Sequence, residues 1–220
     1  MTEISVIIPT LNEAESIGGT IANLPQGELE IIIADGGSLD RTREIAGEAG
    51  ADLVFEPVKA GRAAQMNAGA ARANGAWLIF LHADTVLPPD GADRIRKLDP
   101  EIAGGGFLRR FDSSSQILRL TCWISDFRSR LGGIFLGDQA IFVRRENFEK
   151  LGGFDESFRL GEDIDFSRRL RKSGGKTIAL RGPAVSSARR FEKLGPFRQS
   201  VIDFWITIRF LANPRAYSDS

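Results

Sequence analysis

The sequence predicts an α/β chain with a mostly parallel central sheet and helices on both of its faces. Short apolar runs alternate with helical patterns through the first half of the chain. The runs at residues 29–34, interrupted only by Glu30, and 77–81 are apolar, as strands covered on both faces are. The strand, helix, strand, helix rhythm itself implies parallel pairing through right-handed crossovers.

Residues 4–8 are a β-rich run ended by Pro9. Asn12 then opens a helical pattern as its cap, with Ala14, Ile17, Ile21 and Leu24 on one face and Glu15 three residues on. Residues 29–34 form strand two, and Ser38 or Asp40 caps a helix that ends near Gly50. Leu53, Val54 and Phe55 form strand three, residues 62–74 an Ala-rich helix and residues 77–81 strand four. Beyond Pro100 the rhythm changes. Gly104, Gly105 and Gly106 open a strand that something can approach closely. Residues 117–131 form an apolar-aromatic helix, 137–143 a strand, and 145–151 a short helix stopped by Gly152-Gly153. Glu162-Asp163 opens a helix running to Gly174-Gly175, and residues 177–180 are the last strand. The expected organisation is one domain over 1–195, with halves at 1–100 and 101–195, and an apolar helical tail at 196–220.

Lys+Arg and Asp+Glu both total 29 in 220 residues, so no net charge draws the chain to nucleic acid. With 42% hydrophobic residues, general disorder is excluded. The single cysteine, Cys122, allows no internal disulfide and reads as a buried thiol. The single histidine, His82, excludes a two-imidazole site. The first residues lack a basic secretion signal, and the most apolar stretch, 196–214, is interrupted by Arg198, Asp203 and Arg209. A cytoplasmic location fits these features.

Ligands of parallel α/β sheets sit beyond the carboxyl ends of the strands. That rule selects Pro9-Thr10-Leu11-Asn12-Glu13, Asp35-Gly36-Gly37-Ser38 and His82-Ala83-Asp84-Thr85. Asp84 suits a hard cation bridging a diphosphate, and equally suits the cap of a helix near Pro88-Pro89. Asp35 with Gly36 suits contacts to a base or sugar, although a plain turn explains the same residues. Asp163 suits a general base, while a helix N-terminus alone accounts for the pair Glu162-Asp163. Asp165, on another face of that helix, should meet solvent or an arginine. Arg189-Arg190 suits a phosphate clamp.

Taken together, Val6-Ile7-Ile8-Pro9-Thr10-Leu11-Asn12-Glu13, Ala34-Asp35-Gly36-Gly37-Ser38 and Gly61-Arg62-Ala63-Ala64-Gln65-Met66-Asn67 resemble a family 2 glycosyltransferase of the GT-A fold. Leu81-His82-Ala83-Asp84-Thr85, Gly137-Asp138-Gln139, Gly152-Gly153-Phe154-Asp155-Glu156 and Gly161-Glu162-Asp163 follow in that family's order. The resemblance spans residues 4–181. One departure is that His82 stands where the family's DxD motif has its first carboxylate. The Q-x-x-R-W motif of processive synthases is absent, which argues against a polymerase. The third and fourth motifs also resemble a short bacterial subgroup associated with arsenosugar biosynthesis.

The resemblance implies an inverting transfer from a nucleotide-diphosphate sugar to a hydroxyl acceptor, small or lipid-linked. Pro9, Thr10, Glu13, Asp35 and Gly36 would face base and ribose. Asp84 would hold Mn²⁺ or Mg²⁺, with His82, Ala83 and Asp138 beside the donor. Arg62, Arg189 and Arg190 would add positive charge, Glu162 would bind substrate, and Asp163 would act as base. The tail over 196–213 suits docking on the protein's own core, a homodimer contact or a peripheral contact with the inner face of the membrane. The rival from another class is a non-catalytic nucleotide-sugar-binding protein. A dinucleotide-dependent dehydrogenase is disfavoured, because no G-x-G-x-x-G turn follows strand one.

Overall fold

The computed structural model describes residues 3–57, 59 and 61–217, so the ends of the expected 1–195 and 196–220 units, residues 1–2 and 218–220, lie outside the described residues. β1 (Ile4–Thr10), α1 (Ile17–Ala22), β2 (Glu30–Asp35), α2 (Thr42–Glu48), β3 (Leu53–Phe55), α3 (Arg62–Ala70) and β4 (Trp77–Phe80) form the first half. β5 (Thr85–Val86), α4 (Gly91–Arg96), β6 (Ile102–Phe111), α5 (Gln116–Gly132), a 3₁₀ turn (Gly137–Gln139), β7 (Ile141–Arg144) and α6 (Arg145–Lys150) follow. The chain continues through α7 (Glu162–Lys172), β8 (Lys176–Ser186), α8 (Arg189–Leu194), α9 (Pro196–Ala212) and a last 3₁₀ turn (Pro214–Tyr217).

One eight-stranded sheet, in the order β3-β2-β1-β4-β7-β6-β8-β5, unites the two halves. β1 pairs in parallel with β2 and β4, whereas β7 is antiparallel to both β4 and β6. The two-residue period of the strands divides their side chains between two cores. Ile4, Val6 and Ile8, with Ile31, Ile33, Trp77 and Ile79, meet Ile17, Ile21, Ala46 and Ile95 from α1, α2 and α4. Ile7, Ile32, Leu78 and Phe80 point the other way, toward Met66, Phe148, Phe166 and Leu170 from α3, α6 and α7.

Several local expectations change. Asn12 caps no helix: its φ is 55°, its side-chain oxygen accepts the Leu39 N–H at 2.9 Å, and its own N–H donates to Ser38 Oγ at 2.8 Å. It staples the loops after β1 and β2, and α1 starts only at Ile17. Ser38 is no cap either, because its hydroxyl donates to Asp35. Residues 137–143 open as a 3₁₀ turn, since Gln139 is drawn inward, and pairing with β4 starts at Ile141. The glycines of β6 do admit a close approach, but from the protein itself. A Cβ at Gly104 would meet the Phe142 carbonyl, one at Gly105 the Ile178 carbonyl, and one at Gly106 the Phe135 ring. β8 runs on to Ser186 and pairs with the short β5, neither of which periodicity reveals.

Candidate active site

Thr10 and Asp35 are register partners at the ends of β1 and β2, on the rim where parallel strands terminate. Both are buried. Thr10 Oγ1 donates to Asp35 Oδ1 at 2.9 Å and Ser38 Oγ donates to the same oxygen at 2.5 Å. The Gly37 and Ser38 N–H groups donate to Oδ2 at 3.1 and 2.8 Å. Four donors from within the chain therefore hold the carboxylate expected to meet a base and fix the loop around it. Gly36 donates its N–H to the Thr10 carbonyl at 2.7 Å, and Pro9 and Gly36 are half-buried.

The loop after β4 carries the next group. Ala83 is buried and its carbonyl accepts the Thr20 hydroxyl at 2.7 Å, so it positions the loop. Asp84 precedes β5 and caps no helix, since α4 begins after Asp90. Burial pushes the Asp84 carboxyl up, the neighbouring Glu13 carboxylate pushes the same way, and Arg189 opposes both. Arg189 Nη2 lies 2.9 Å from Glu13 and Nη1 lies 3.1 Å from Glu15. The two arginines take different partners, because Arg190 turns to Asp203 of α9 at 2.5 Å, while its charge still reaches His82.

His82 packs under Gly137. Burial holds its pKa down to about 3, Arg62 pushes the same way, and Nε2 has no partner among the described residues. A neutral ring thus stands at the position where the DxD motif has its first carboxylate. His82, Arg62, Gly137, Glu162 and Asp163 line a cavity of about 10 Å³, room for about one water. Asp163 Oδ2 accepts the Gly137 N–H and Oδ1 accepts the Ile164 N–H, both at 2.7 Å. Burial pushes the Asp163 carboxyl up against the pull of Gly137 and Arg62. Glu162 is 3% exposed, with Arg62 Nη1 at 3.5 Å. Burial and the adjacent Asp163 push its pKa up to about 7. Two buried carboxyls with raised affinity for protons beside the half-exposed Arg62 cation are a common signature of acid–base chemistry. Asp138 also loses solvent, but Arg109 at 2.9 Å more than offsets that and holds it below the usual carboxylate range. Asp165 pairs with Arg169 at 2.6 Å, as its helix face implies.

Three amides escape a search for charged or nucleophilic residues. Gln65 Nε2 donates to the Thr10 and Ala34 carbonyls, both at 2.8 Å, and closes the ends of β1 and β2. Asn67 exchanges hydrogen bonds with the backbone of Phe154, at 2.9 Å each way. Gln139, fully buried, donates to the Phe107 carbonyl at 2.9 Å and accepts from Arg128 and the Leu136 N–H at 3.0 and 3.1 Å. Their presence inside the quoted motifs was the available signal.

Among the described residues no cluster of three His, Cys, Asp or Glu side chains could hold a metal alone. The proximity of Asp84 to Glu13, which raises the Asp84 carboxyl, fits a cation shared with a ligand's oxygens rather than one enclosed by protein.

The Glycosyl transferase family 2 model matches residues 5–152. A PGL/p-HBAD biosynthesis glycosyltransferase of Mycobacterium bovis is 31% identical over 217 residues, covering 90% of this chain and 80% of that one. The succinoglycan biosynthesis protein ExoA of Rhizobium meliloti is 30% identical, covering 77% of this chain and 58% of its own. Among solved structures, a mannosyltransferase of Pyrobaculum calidifontis in complex with GDP-Man and Mn²⁺ superimposes with a TM-score of 0.67 at 22% identity. That match covers 84% of this chain and 56% of the solved one. Glucosyl-3-phosphoglycerate synthase of Mycobacterium tuberculosis, in complex with Mn²⁺, UDP and phosphoglyceric acid, gives 0.64 at 21% identity over 91% of this chain and 76% of that one. The fold is therefore the GT-A fold. With that fold, the matched model and relatives aligned along nine-tenths of its length, the chain belongs to glycosyl transferase family 2.

Proposed function

We propose that the chain moves a sugar, with inversion at the anomeric carbon, from a nucleotide-diphosphate sugar to an acceptor hydroxyl. One observation carries this reading: Asp163 accepts the N–H of Gly137, and Gly137 packs on His82, two residues from Asp84. A cation-binding carboxylate and a buried carboxylate suited to take a proton are thereby joined through two contacts at one rim.

Asp163 takes the proton of the acceptor hydroxyl as its oxygen attacks the anomeric carbon from the face opposite the diphosphate. Its Gly137 and Ile164 contacts fix the carboxylate's direction, and Arg62 with Glu162 sets the charge around it. Asp84, with Glu13 beside it, would hold Mn²⁺ or Mg²⁺ together with the donor phosphates. When bound, that ion neutralises charge on the departing diphosphate. The P. calidifontis and M. tuberculosis structures, which hold Mn²⁺ with a nucleotide or nucleotide sugar, support this assignment. The unpartnered His82 Nε2 suits a donor oxygen. The arsenosugar resemblance bears on Gln65, Asn67 and the loop at Asp84, which build the rim, and not on residues that choose an acceptor.

The Asp163→Asn enzyme tests the reading. It binds donor as wild type does, while turnover falls by about 10²–10⁴-fold, the usual worth of a positioned base. Wild-type turnover in that variant removes Asp163 from the role. Donor binding by the wild-type chain with no nucleotide release across an acceptor panel favours the non-catalytic binder.

A further inference from the structure

Glu13 and Asp84 come from the loops after β1 and β4, which are neighbouring parallel strands. Burial and the Glu13 carboxylate push the Asp84 carboxyl up, and Arg189 pulls it down. The same arginine places Nη2 at 2.9 Å from Glu13 and Nη1 at 3.1 Å from Glu15. One guanidinium therefore balances the two carboxylates assigned to the cation, and a third beside them.

The backbone that carries Arg189 is tied to the loop that carries Asp84. Ser187 donates its N–H to the Asp84 carbonyl at 3.0 Å, and Ser187 Oγ accepts the Arg189 N–H at 3.2 Å. Just before them, β8 pairs with β5, where the Ser186 and Thr85 hydroxyls are 2.7 Å apart. The Arg189 side chain is held less firmly, being 40% exposed with Glu15 85% exposed. It can change partners by side-chain rotation alone, without moving α8. Its neighbour Arg190 cannot share the task, because it is turned to Asp203.

Charge decides which partners it prefers. A divalent ion that arrives alone meets the like charge of Arg189, and a diphosphate that arrives alone meets the acids. Together they remove both obstacles. Phosphate oxygens take a guanidinium in the same forked geometry as a carboxylate does, which leaves Glu13 and Asp84 to the ion.

We propose that Arg189 is a stand-in cation, neutralising Glu13 and Asp84 in the ligand-free chain and exchanging them for the donor diphosphate when metal and nucleotide bind together. This rests on the metal-assisted transfer reading and gives that site its coupling between ion and donor. By linkage, the exchange raises the affinity of each ligand for the other by one common factor.

Two binding measurements on the full chain test it. Mn²⁺ is titrated without nucleotide and followed by electron paramagnetic resonance, and UDP, GDP, CDP and dTDP are titrated in EDTA by calorimetry. Arg189→Gln binds Mn²⁺ about fivefold more tightly than wild type, the worth of one partly exposed ion pair. The same variant binds the best of the four diphosphates about tenfold more weakly, since a charge-assisted hydrogen bond is lost. An ion pair that only supports the fold does not produce changes of opposite sign. Arg189→Lys, which keeps the charge, returns both affinities toward wild type. Arg190→Gln removes the same charge one residue on without touching Glu13, and leaves Mn²⁺ affinity within about twofold. Unchanged Mn²⁺ affinity in Arg189→Gln, weaker binding of both ligands by it, or an equal gain in Arg190→Gln overturns the proposal. Titrating the same diphosphates with Mn²⁺ present separates the two levels. If Mn²⁺ tightens nucleotide binding equally in wild type and Arg189→Gln, the stand-in role fails and the metal site stands. If Mn²⁺ tightens no nucleotide in wild type, the metal site of the transfer reading fails beneath it.

Discussion

The rim at the ends of β1, β2 and β4 and the face made by α5 and α9 are built on opposite rules. At the ends of β1 and β2, polar groups are matched from within: Asp35 alone receives four hydrogen bonds, and Gln65 closes two strand ends. On the helical face, Trp123 is 64% exposed and Phe197 69% exposed, and large apolar side chains remain uncovered. Pre-organised polar frames suit a ligand of fixed shape and charge, since their dipoles need not reorganise on binding. Uncovered apolar stripes suit a partner that is itself apolar. Within one sheet-and-helix scaffold, the strand-end rim is rigidly wired and the helical face is left open.

That contrast makes the wiring costly to cut. Gln139 joins the two regions, reaching β6, α5 and the 3₁₀ turn at once. Gln139→Ala strands the Phe107 carbonyl, the Leu136 N–H and the Arg128 cation in the interior. Urea unfolding should register a loss of about 4 kcal/mol.

Glu162 sharpens the contrast through pH. Its carboxyl titrates near 7 in the folded chain against 4.5 as the ordinary value, so the folded state binds the extra proton between those values. Stability from this group is fully present below about pH 4.5 and falls as pH rises to about 7. The total loss is about 3 kcal/mol, because the side chain is almost wholly buried. The depressed His82 acts in the opposite sense below its ordinary pKa, so the comparison must be with Glu162→Gln, which keeps His82. Relative to wild type, that variant gains stability across pH 4.5–7 and then levels off. A constant difference across that range breaks the assignment.

The open face should tolerate change in proportion to its exposure. Trp123→Ser shifts unfolding free energy by less than about 0.5 kcal/mol, measured by the same urea titration. A larger loss means that the face is covered in solution.

Legibility in the sequence follows the same division. The apolar runs of β2 and β4 and the acids behind β2, β4 and Gly161 were readable, because strand period and strand ends are local properties. The true role of Asn12 was not, since its left-handed φ and its bond to Leu39 depend on a loop 27 residues away reaching back. The split of Arg189 from Arg190 was hidden for a like reason, as it turns on where Glu13 and Asp203 come to rest. The stripe on α9 was visible in the sequence, but its place beside α5 arises from packing. The glycines of β6, read as room for a close approach, proved to admit two neighbouring strands and the Phe135 ring.

The carboxylate after β4 is the group on which the proposed cation site depends. Thermal shift with UDP-, GDP-, CDP- and dTDP-sugars, each with and without Mn²⁺, compares wild type with Asp84→Ala most directly. Wild type is stabilised by at least one donor, and more strongly with Mn²⁺, because a ligand that binds the folded state raises its apparent stability. Asp84→Ala folds but loses the Mn²⁺-dependent increment. An increment of equal size in both proteins would show that the ion sits elsewhere and would contradict the site as described.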